Sequence, residues 1–230
     1  MSLFVPMTVN CPGCGALVTM DAVGSVNADR RPDYRDAIIG NVFQEVECGE
    51  CGETFRLQPE FNYLDAGRGQ WIASLPADRL RAHLAVEDES KALFDRSYGP
   101  DAPAAAQAVG RTLDMRVTFG WPALREKLVA RAAGLDDTVL EMLKLDLLRR
   151  LPEAPLREGV ELRLAAAGEH VLTFVWVTSE TEDVLGEFAA RRELYDAIAD
   201  NQPDWAPVRA RLADGPFVDI QKLFMGEGRA

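Results

Sequence analysis

Histidine is nearly absent from this chain of 230 residues, which contains only two. Cysteine is almost as scarce, and its four residues are all used in two short motifs. With so few of these residues, the sequence shows no Ser-His-Asp or Cys-His pairing of the kind that nucleophilic catalysis requires. His83 lies beside apolar residues of a predicted helix, and His170 begins a predicted strand. We therefore expect neither histidine to be a ligand, and the sequence favours a protein that is not an enzyme.

Long hydrophobic runs are also missing. The longest apolar stretch, residues 171–177, is far shorter than the roughly 20 residues that cross a bilayer. The first residues, Met-Ser-Leu-Phe-Val-Pro-Met, lack the charged and apolar regions of a secretory leader. We therefore expect a cytoplasmic protein with reduced thiols and no membrane partner.

The chain has no excess of positive charge. It contains 25 basic and 37 acidic residues, which give a net charge of −12. Binding to nucleic-acid phosphates depends on clustered lysine and arginine, so this balance disfavours DNA or RNA as a partner and favours another protein. The sequence Gly67-Arg68-Gly69 lacks the third glycine and the following helix of a phosphate-binding loop, and it predicts only a turn.

The four cysteines form two matching motifs, Cys11-Pro12-Gly13-Cys14-Gly15 and Cys48-Gly49-Glu50-Cys51-Gly52. Two Cys-x-x-Cys pairs with 33 residues between them predict one tetrahedral four-sulfur metal site. The spacing lets a tight turn direct both sulfurs of a pair at one point, about 2.3 Å from a zinc ion. The glycine after each pair can adopt a positive φ, which turns backbone N–H groups toward the sulfurs. The nearest candidates for cations that offset the thiolate charge are Arg30, Arg31, Arg35 and Arg56.

Three other interpretations of the cysteines remain open. A disulfide framework is disfavoured by the expected reducing compartment. A thioredoxin-type redox pair would use one Cys-x-x-Cys motif, whereas this chain has two. Iron is the strongest alternative to zinc, because four thiolates in a rubredoxin-like arrangement bind either metal.

The first half of the chain predicts a small β-rich unit. Strands are expected over residues 16–27, 42–47 and 53–58, with a short helix over residues 31–39. Residues 61–64 and 70–75 flank a glycine-containing turn and predict a hairpin. A helix follows Pro76, and a turn-rich joint extends from Glu87-Asp88-Glu89 to Pro103. We place a domain boundary there, which gives domains of residues 1–100 and 101–230.

The second half predicts helices and a second β-hairpin. The expected helices cover residues 122–133, about 138–148 and 188–199, and the expected strands cover 159–165 and 170–178. Thr138 and Glu141 fit a capping box, and Asp136-Asp137 lie where acidic groups favour the start of that helix. We interpret this acidic pair as structural rather than catalytic. Trp176, in an apolar strand, is expected in the core, and residues 217–225 are expected to dock on the fold.

Several short segments carry a resemblance to a known family. They are the Cys-Pro-x-Cys knuckle, Ser25-Val26-Asn27, the helix between Pro32 and Gly40, the second Cys-x-x-Cys-Gly, and Trp71-Ile72-Ala73-Ser74-Leu75-Pro76. With these segments the chain resembles the CpXC-type domain, a metal-binding bacterial and archaeal module. Leu124-Arg125-Glu126-Lys127 and Gly134-Leu135-Asp136-Asp137 are similar to the segment that often follows it, so the resemblance covers roughly the first 150 residues. Gly49 departs from the proline that the family name suggests. The resemblance implies Cys11, Cys14, Cys48 and Cys51 as metal ligands and implies no reaction.

Together these patterns predict an α+β protein. A rubredoxin-like zinc ribbon with a β-hairpin extension forms the first half, and helices with a β-hairpin form the second. Because a closed four-sulfur site leaves no position for a substrate, we interpret the protein as a non-catalytic, zinc-stabilised interaction or regulatory module. The alternatives are a redox switch that releases zinc on thiol oxidation, a nucleic-acid-binding regulator, and an enzyme with a pocket between the two halves.

Overall fold

The computed structural model describes residues 2–151, 154–155 and 157–225. These residues form ten strands and seven α-helices, which confirms the predicted α+β class. In chain order the strands are β1 (Leu3–Asn10), β2 (Leu17–Asn27), β3 (Glu45–Glu47), β4 (Thr54–Arg56), β5 (Phe61–Asp65), β6 (Gln70–Leu75), β7 (Asp114–Phe119), β8 (Val160–Ala167), β9 (Val171–Thr178) and β10 (Val184–Arg191). The helices are α1 (Pro32–Ile39), α2 (His83–Tyr98), α3 (Ala104–Gly110), α4 (Trp121–Ala132), α5 (Asp137–Arg150), α6 (Arg192–Asp200) and α7 (Gln202–Leu212).

The strands form three sheets. The largest has the order β1-β2-β5-β6-β7, with parallel pairing between β2 and β5 and between β6 and β7. Only Ser25–Asn27 of β2 pair with β5, whereas the rest of β2 pairs with β1 alone. The β1–β2 pair is therefore a two-stranded ribbon that extends beyond the sheet. Strands β8, β9 and β10 form an antiparallel meander, and β3 pairs with β4 as a separate small hairpin.

Helix α4 joins the two halves of the core. Its Leu124 and Leu128 are fully buried against residues of the large sheet, including Ile72. Its Val129 and Ala130 belong to a second buried cluster, formed with α5, α6 and the three-stranded sheet. A third cluster lies on the other face of the large sheet, where α2 and the C-terminal Phe217 cover β6 and β7. The apolar positions of α4 thus explain why the N-terminal and C-terminal elements pack together.

The structure corrects one prediction for the middle of the chain. Glu87-Asp88-Glu89 lie inside helix α2 rather than in a turn-rich joint. The acidic run is compatible with a helix because Glu87 is buried and its carboxylate accepts a hydrogen bond from the backbone N–H of Phe217. Strand β7 lies beyond residue 100 and nevertheless pairs with β6 in the large sheet. The division into residues 1–100 and 101–230 stays a prediction about independent folding.

The predicted helix over residues 188–199 is only partly correct. Its first residues belong to strand β10, which pairs with β9 through Phe188 opposite Phe174, and the helix begins at Arg192. The two rings stack, with centroids 5.7 Å apart. The strands predicted over residues 159–165 and 170–178 are confirmed as β8 and β9, and Trp176 is buried as expected.

Candidate metal centre

Each Cys-x-x-Cys motif is the turn of a β-hairpin, and the two turns have the same backbone hydrogen bonds. In the first, between β1 and β2, Cys11 N–H donates to the Ala16 carbonyl at 2.8 Å, and Gly15 N–H donates to the Cys11 carbonyl at 2.9 Å. In the second, between β3 and β4, Cys48 N–H donates to the Glu53 carbonyl and Gly52 N–H to the Cys48 carbonyl, both at 2.8 Å. The short hairpin β3–β4 thus presents the second motif in the same conformation as the first.

The glycine that follows each pair has the conformation that the sequence predicts. Gly15 has φ +75° and Gly52 has φ +74°, in the left-handed region that side chains with a Cβ rarely adopt. At both positions an added Cβ would have no heavy atom within 4 Å. The requirement for glycine there comes from the backbone angle and not from lack of space.

The four cysteine sulfurs converge at one point. All lie within 4.8 Å of one another, and the closest contacts join the two motifs. Cys11 Sγ is 3.6 Å from Cys51 Sγ, and Cys14 Sγ is 3.7 Å from Cys48 Sγ. A tetrahedron with metal–sulfur bonds of about 2.3 Å has edges of about 3.8 Å, so these contacts fit four ligands around one ion. They exceed the roughly 2.05 Å of a sulfur–sulfur bond, and all four cysteines are free thiols.

The cluster has an inner and an outer pair. Cys11 and Cys48, the first cysteine of each motif, are buried, whereas Cys14 and Cys51 are exposed. Hydrogen bonds from the backbone N–H groups of Cys51 and Glu50 lower the pKa of Cys48 to about 7. The Glu53 N–H has the same effect on Cys51, but the surrounding thiols, Cys14 first among them, outweigh it and raise the pKa of Cys51 to about 12.

These opposite pKa shifts reflect the repulsion between ionised thiols in the cluster. Four thiols in this small volume do not all ionise by themselves, because each new thiolate faces the charge of the previous one. A divalent cation at the centre removes this repulsion and releases the remaining protons. The donor set therefore fits a metal ion better than it fits four free thiols.

Three of the four arginines expected near the thiolates have other partners. Arg31 forms an ion pair with Asp33, and Arg35 pairs with the buried carboxylate of Asp65 at 2.8 Å. Arg56 pairs with Glu182 and lies over the Trp121 ring. The hydrogen bonds to the cysteine sulfurs come from backbone N–H groups of the second motif and of Ala16 and Glu53, the residues that follow the two motifs.

The other candidates from the sequence lie elsewhere. His83 packs against the ring of Phe217, and His170 is exposed at the start of β9. Across the described part of the chain, only the four cysteines form a group of potential ligands close enough to share a metal ion.

The capping residue at the start of α5 differs from the prediction. Asp136, and not Thr138, caps the helix by accepting hydrogen bonds from the N–H groups of Thr138 and Val139. Burial alone would raise the pKa of Asp137, but Lys127 and Arg116 hold it well below its usual value.

Sequence reasoning missed a group of buried ion pairs in the C-terminal half. Lys144 and Glu126 are both 0 % exposed, and Lys144 Nζ lies 2.8 Å from Glu126 Oε1 and 2.8 Å from Glu141 Oε2. Arg163 joins the group through Glu126 and Asp219. The sequence of α5 contains a signal that could have predicted these buried charges. Apolar residues surround the whole helix, so the few charged residues between them must also be buried.

A sequence comparison agrees with this arrangement. The sequence profile described as CpXC protein matches residues 9–144, which is more than half of the chain and includes all four cysteines. The chain belongs to the CpXC family. The match extends through α4 and into α5, so the family region includes the helix that joins the two halves of the core. Comparisons with curated proteins and with solved structures give no significant match.

No helix within residues 2–151, 154–155 and 157–225 has both the length and the apolar character required to cross a membrane.

Proposed function

We propose that Cys11, Cys14, Cys48 and Cys51 bind one Zn²⁺ ion in a closed, structural four-sulfur site. The observation that carries this proposal is the convergence of the four sulfurs from two separate hairpin turns. With all four tetrahedral positions occupied by protein, the ion has no place for a substrate and acts by tying the β3–β4 hairpin to the β1–β2 ribbon.

Elemental analysis of the purified protein tests the metal and its stoichiometry. We expect one zinc per chain and less than a tenth as much iron, and Cys14→Ser should lower the zinc content severalfold. Gly49→Ala serves as the control, because this position lies in the second motif and an added Cβ would have no atom within 4 Å. A content of one iron per chain would identify the metal as iron instead of zinc. If the protein binds no metal after refolding with Zn²⁺, the proposed site is wrong.

We further propose that the zinc-stabilised ribbon binds a partner protein in the cytoplasm. Directly opposed residues of β1 and β2 share a face, and three successive pairs on one face are apolar: Val5 with Ala22, Met7 with Met20, and Val9 with Val18. Val5 is 49 % exposed and Met7 is 44 % exposed. The other face is mixed: it carries the polar pair Thr8 with Thr19, whose hydroxyl groups are 3.1 Å apart, and also the pair Asn10 with Leu17. An exposed apolar face of this kind, on a protein of net charge −12, favours a protein over a nucleic acid.

Site-specific photo-crosslinking in the native host tests the apolar face. A photoreactive residue at Met7 should give a discrete crosslinked product, and the same residue at Thr8, one position along on the other face, should give much less. Equal products from both positions, or none from either, would remove the ribbon as a binding surface.

A redox switch is the second candidate function, and the exposure of Cys14 and Cys51 supports it. Oxidation of two thiolates to a disulfide by peroxide would remove two ligands and release the ion. Zinc release measured with a chromogenic chelator decides between the functions. A structural site should retain zinc under mild peroxide treatment that oxidises an exposed reference thiol. A redox switch should release zinc about as fast as that reference thiol is oxidised.

A further inference from the structure

A cavity whose lining includes no cysteine lies between the segment after Pro76 and the C-terminal half of the chain. Its volume is about 780 Å³. It lies between the segment Ala77–Ala82, the residues leading into β8, the Trp176 side of β9, and residues 219–225. Cavities of about 300–1,000 Å³ are typical of sites for small molecules, so this space is large enough for a ligand of that class.

Part of the cavity wall is apolar. Leu80, Leu162, Ile220 and Trp176 line it, together with Phe224, which is 65 % exposed. Trp176 is only 6 % exposed and is held by the core of the three-stranded sheet. A fixed indole ring beside aliphatic side chains suits the apolar part of a ligand.

Carboxylates outnumber guanidinium groups in the lining. The carboxylates are those of Asp78, Glu158, Glu161, Glu180 and Asp219. The guanidinium groups are those of Arg81, Arg157 and Arg163.

Two of the three arginines already have carboxylate partners. Arg163 Nη1 lies 2.5 Å from Asp219, and its Nη2 lies 2.7 Å from Glu161. Arg81 forms an ion pair with Glu158. These ion pairs also engage Glu158, Glu161 and Asp219.

Among the described lining residues, that leaves the carboxylates of Asp78 and Glu180 and the guanidinium group of Arg157. The balance is negative, so a cationic ligand would meet two carboxylates in the same cavity as the Trp176 indole. Carboxylates together with aromatic rings are the groups that recognise ammonium ions in proteins.

We propose that this cavity binds a small amphipathic cation, an apolar body that carries one amine or guanidinium group. The apolar body packs on Trp176 and Leu162, and the cation faces the carboxylates of Asp78 and Glu180 at the rim. This site goes beyond the proposed function of the cysteine cluster, because its walls and its ligand are independent of the metal.

Isothermal titration of the full-length, metal-loaded protein with three related compounds tests the ligand class. Tryptamine, tryptophol and indolepropionate share an indole body and differ in a positive, neutral or negative head group. We expect one tryptamine per chain, bound at least tenfold more tightly than tryptophol, with indolepropionate the weakest. Equal affinities, a preference for the anion, or no binding up to the solubility limit would each overturn the proposal.

Variants at the rim test the location. Glu180→Gln should weaken tryptamine about three- to fivefold, as expected for a partly solvated ion pair, and leave tryptophol unchanged. Glu187→Gln is the matched control, because Glu187 is also exposed but lies on β10 outside the cavity lining. Gln221→Trp places a large ring in the cavity and should abolish binding of both compounds. Unchanged tryptamine affinity in both Glu180→Gln and Gln221→Trp would place the binding elsewhere and overturn the assignment.

Discussion

Two glycines in the second cysteine motif have different roles. Gly52 has φ +74°, whereas Gly49 has no such positive angle, and at both positions an added Cβ would have no atom within 4 Å. We expect Gly52→Ala to cost about 1–2 kcal/mol, because alanine must adopt the left-handed conformation. Zinc affinity measured by competition with a chelator should therefore fall about five- to thirtyfold.

Gly49→Ala is the matched control for this prediction, with the same atom added in the same turn. Its zinc affinity should stay within about twofold of the wild type, because the alanine is not forced into a disfavoured angle. If both variants lose affinity equally, space and not backbone angle would determine the choice of glycine.

At the residue scale, the sequence predicts the composition of the site but not its internal pairing. The spacing of Cys11, Cys14, Cys48 and Cys51 and the glycine after each pair are local signals, and the structure brings these sulfurs together. The closest contacts, Cys11 with Cys51 and Cys14 with Cys48, join residues that are 40 and 34 positions apart. They depend on how two hairpins approach each other, which no local pattern contains.

Among the secondary-structure elements, hairpins whose two strands are joined by a short turn can be predicted from the sequence. The β5–β6 hairpin and the β8–β9 hairpin follow from alternating apolar residues on each side of a glycine-containing turn. Strand β7 was missed, because it pairs in parallel with the distant β6 and its six residues show no hairpin signal. The sequence does not predict strand β1, because Pro6 is unfavourable inside a strand and six of the first seven residues are exposed, without a buried face.

Helix α5 offers a test of capping. The Asp136 carboxylate accepts hydrogen bonds from Thr138 N–H at 2.7 Å and from Val139 N–H at 3.1 Å. Asp136→Ala should destabilise the protein by about 1 kcal/mol, because the first turn of the helix then has unsatisfied donors. Urea unfolding of the metal-loaded protein, followed by circular dichroism, measures this change.

Asp136→Asn is the control for the cap, because its amide oxygen can accept the same two hydrogen bonds. We expect it to retain most of the stability, although it loses the ion pair with Arg209 on the surface, which contributes little. An asparagine variant as unstable as the alanine variant would show that charge, and not the cap, stabilises this end of α5.

At the scale of the whole molecule, metal removal should unfold only part of the N-terminal half. Strand β6 pairs with both β5 and β7, and the Trp121 indole N–H donates to the Leu57 carbonyl at 2.7 Å. We therefore expect hydrogen exchange to accelerate after chelation in both cysteine turns, in β3–β4 and in the outer part of the β1–β2 ribbon. Protection of β5, β6 and β7 should change little.

The same protein reloaded with Zn²⁺ is the control and should recover its protection. Loss of protection throughout residues 1–100, with residues 101–230 unchanged, would instead support the predicted division into two domains. Loss across the whole chain would show that the metal stabilises the entire fold.

Two fully buried glutamates, Glu126 and Glu141, both form ion pairs with Lys144. Their contributions to stability should change in opposite directions with pH. Burial raises the pKa of both, but Lys144 and Arg163 hold the pKa of Glu126 below its usual value. The pKa of Glu141 is raised to about 8 by burial, and the nearby Glu126 and Asp219 add to this effect against Lys144 and Lys127. We therefore expect Glu141 to bind a proton more tightly in the folded protein than in the unfolded chain.

This difference gives a prediction with a definite sign. An acid whose pKa is higher in the folded state stabilises the protein fully below its unfolded pKa, near 4.5, and loses that contribution as pH rises toward 8. Glu141→Gln imitates the protonated acid, and its amide oxygen can still accept from Ile220 N–H and Lys144. Relative to the wild type, the free energy of unfolding of this variant should therefore rise steadily between about pH 5 and about pH 8.

Glu126→Gln is the matched comparison, since it makes the same chemical change in the same buried group. It should lose about 3–5 kcal/mol throughout this pH range, because the variant removes the buried negative charge that Lys144 and Arg163 share. Urea unfolding of both variants and the wild type at a series of pH values measures the two profiles. Parallel profiles for the two variants would mean that Glu141 is ionised in the folded protein, and the buried group would then carry one more negative charge than we infer.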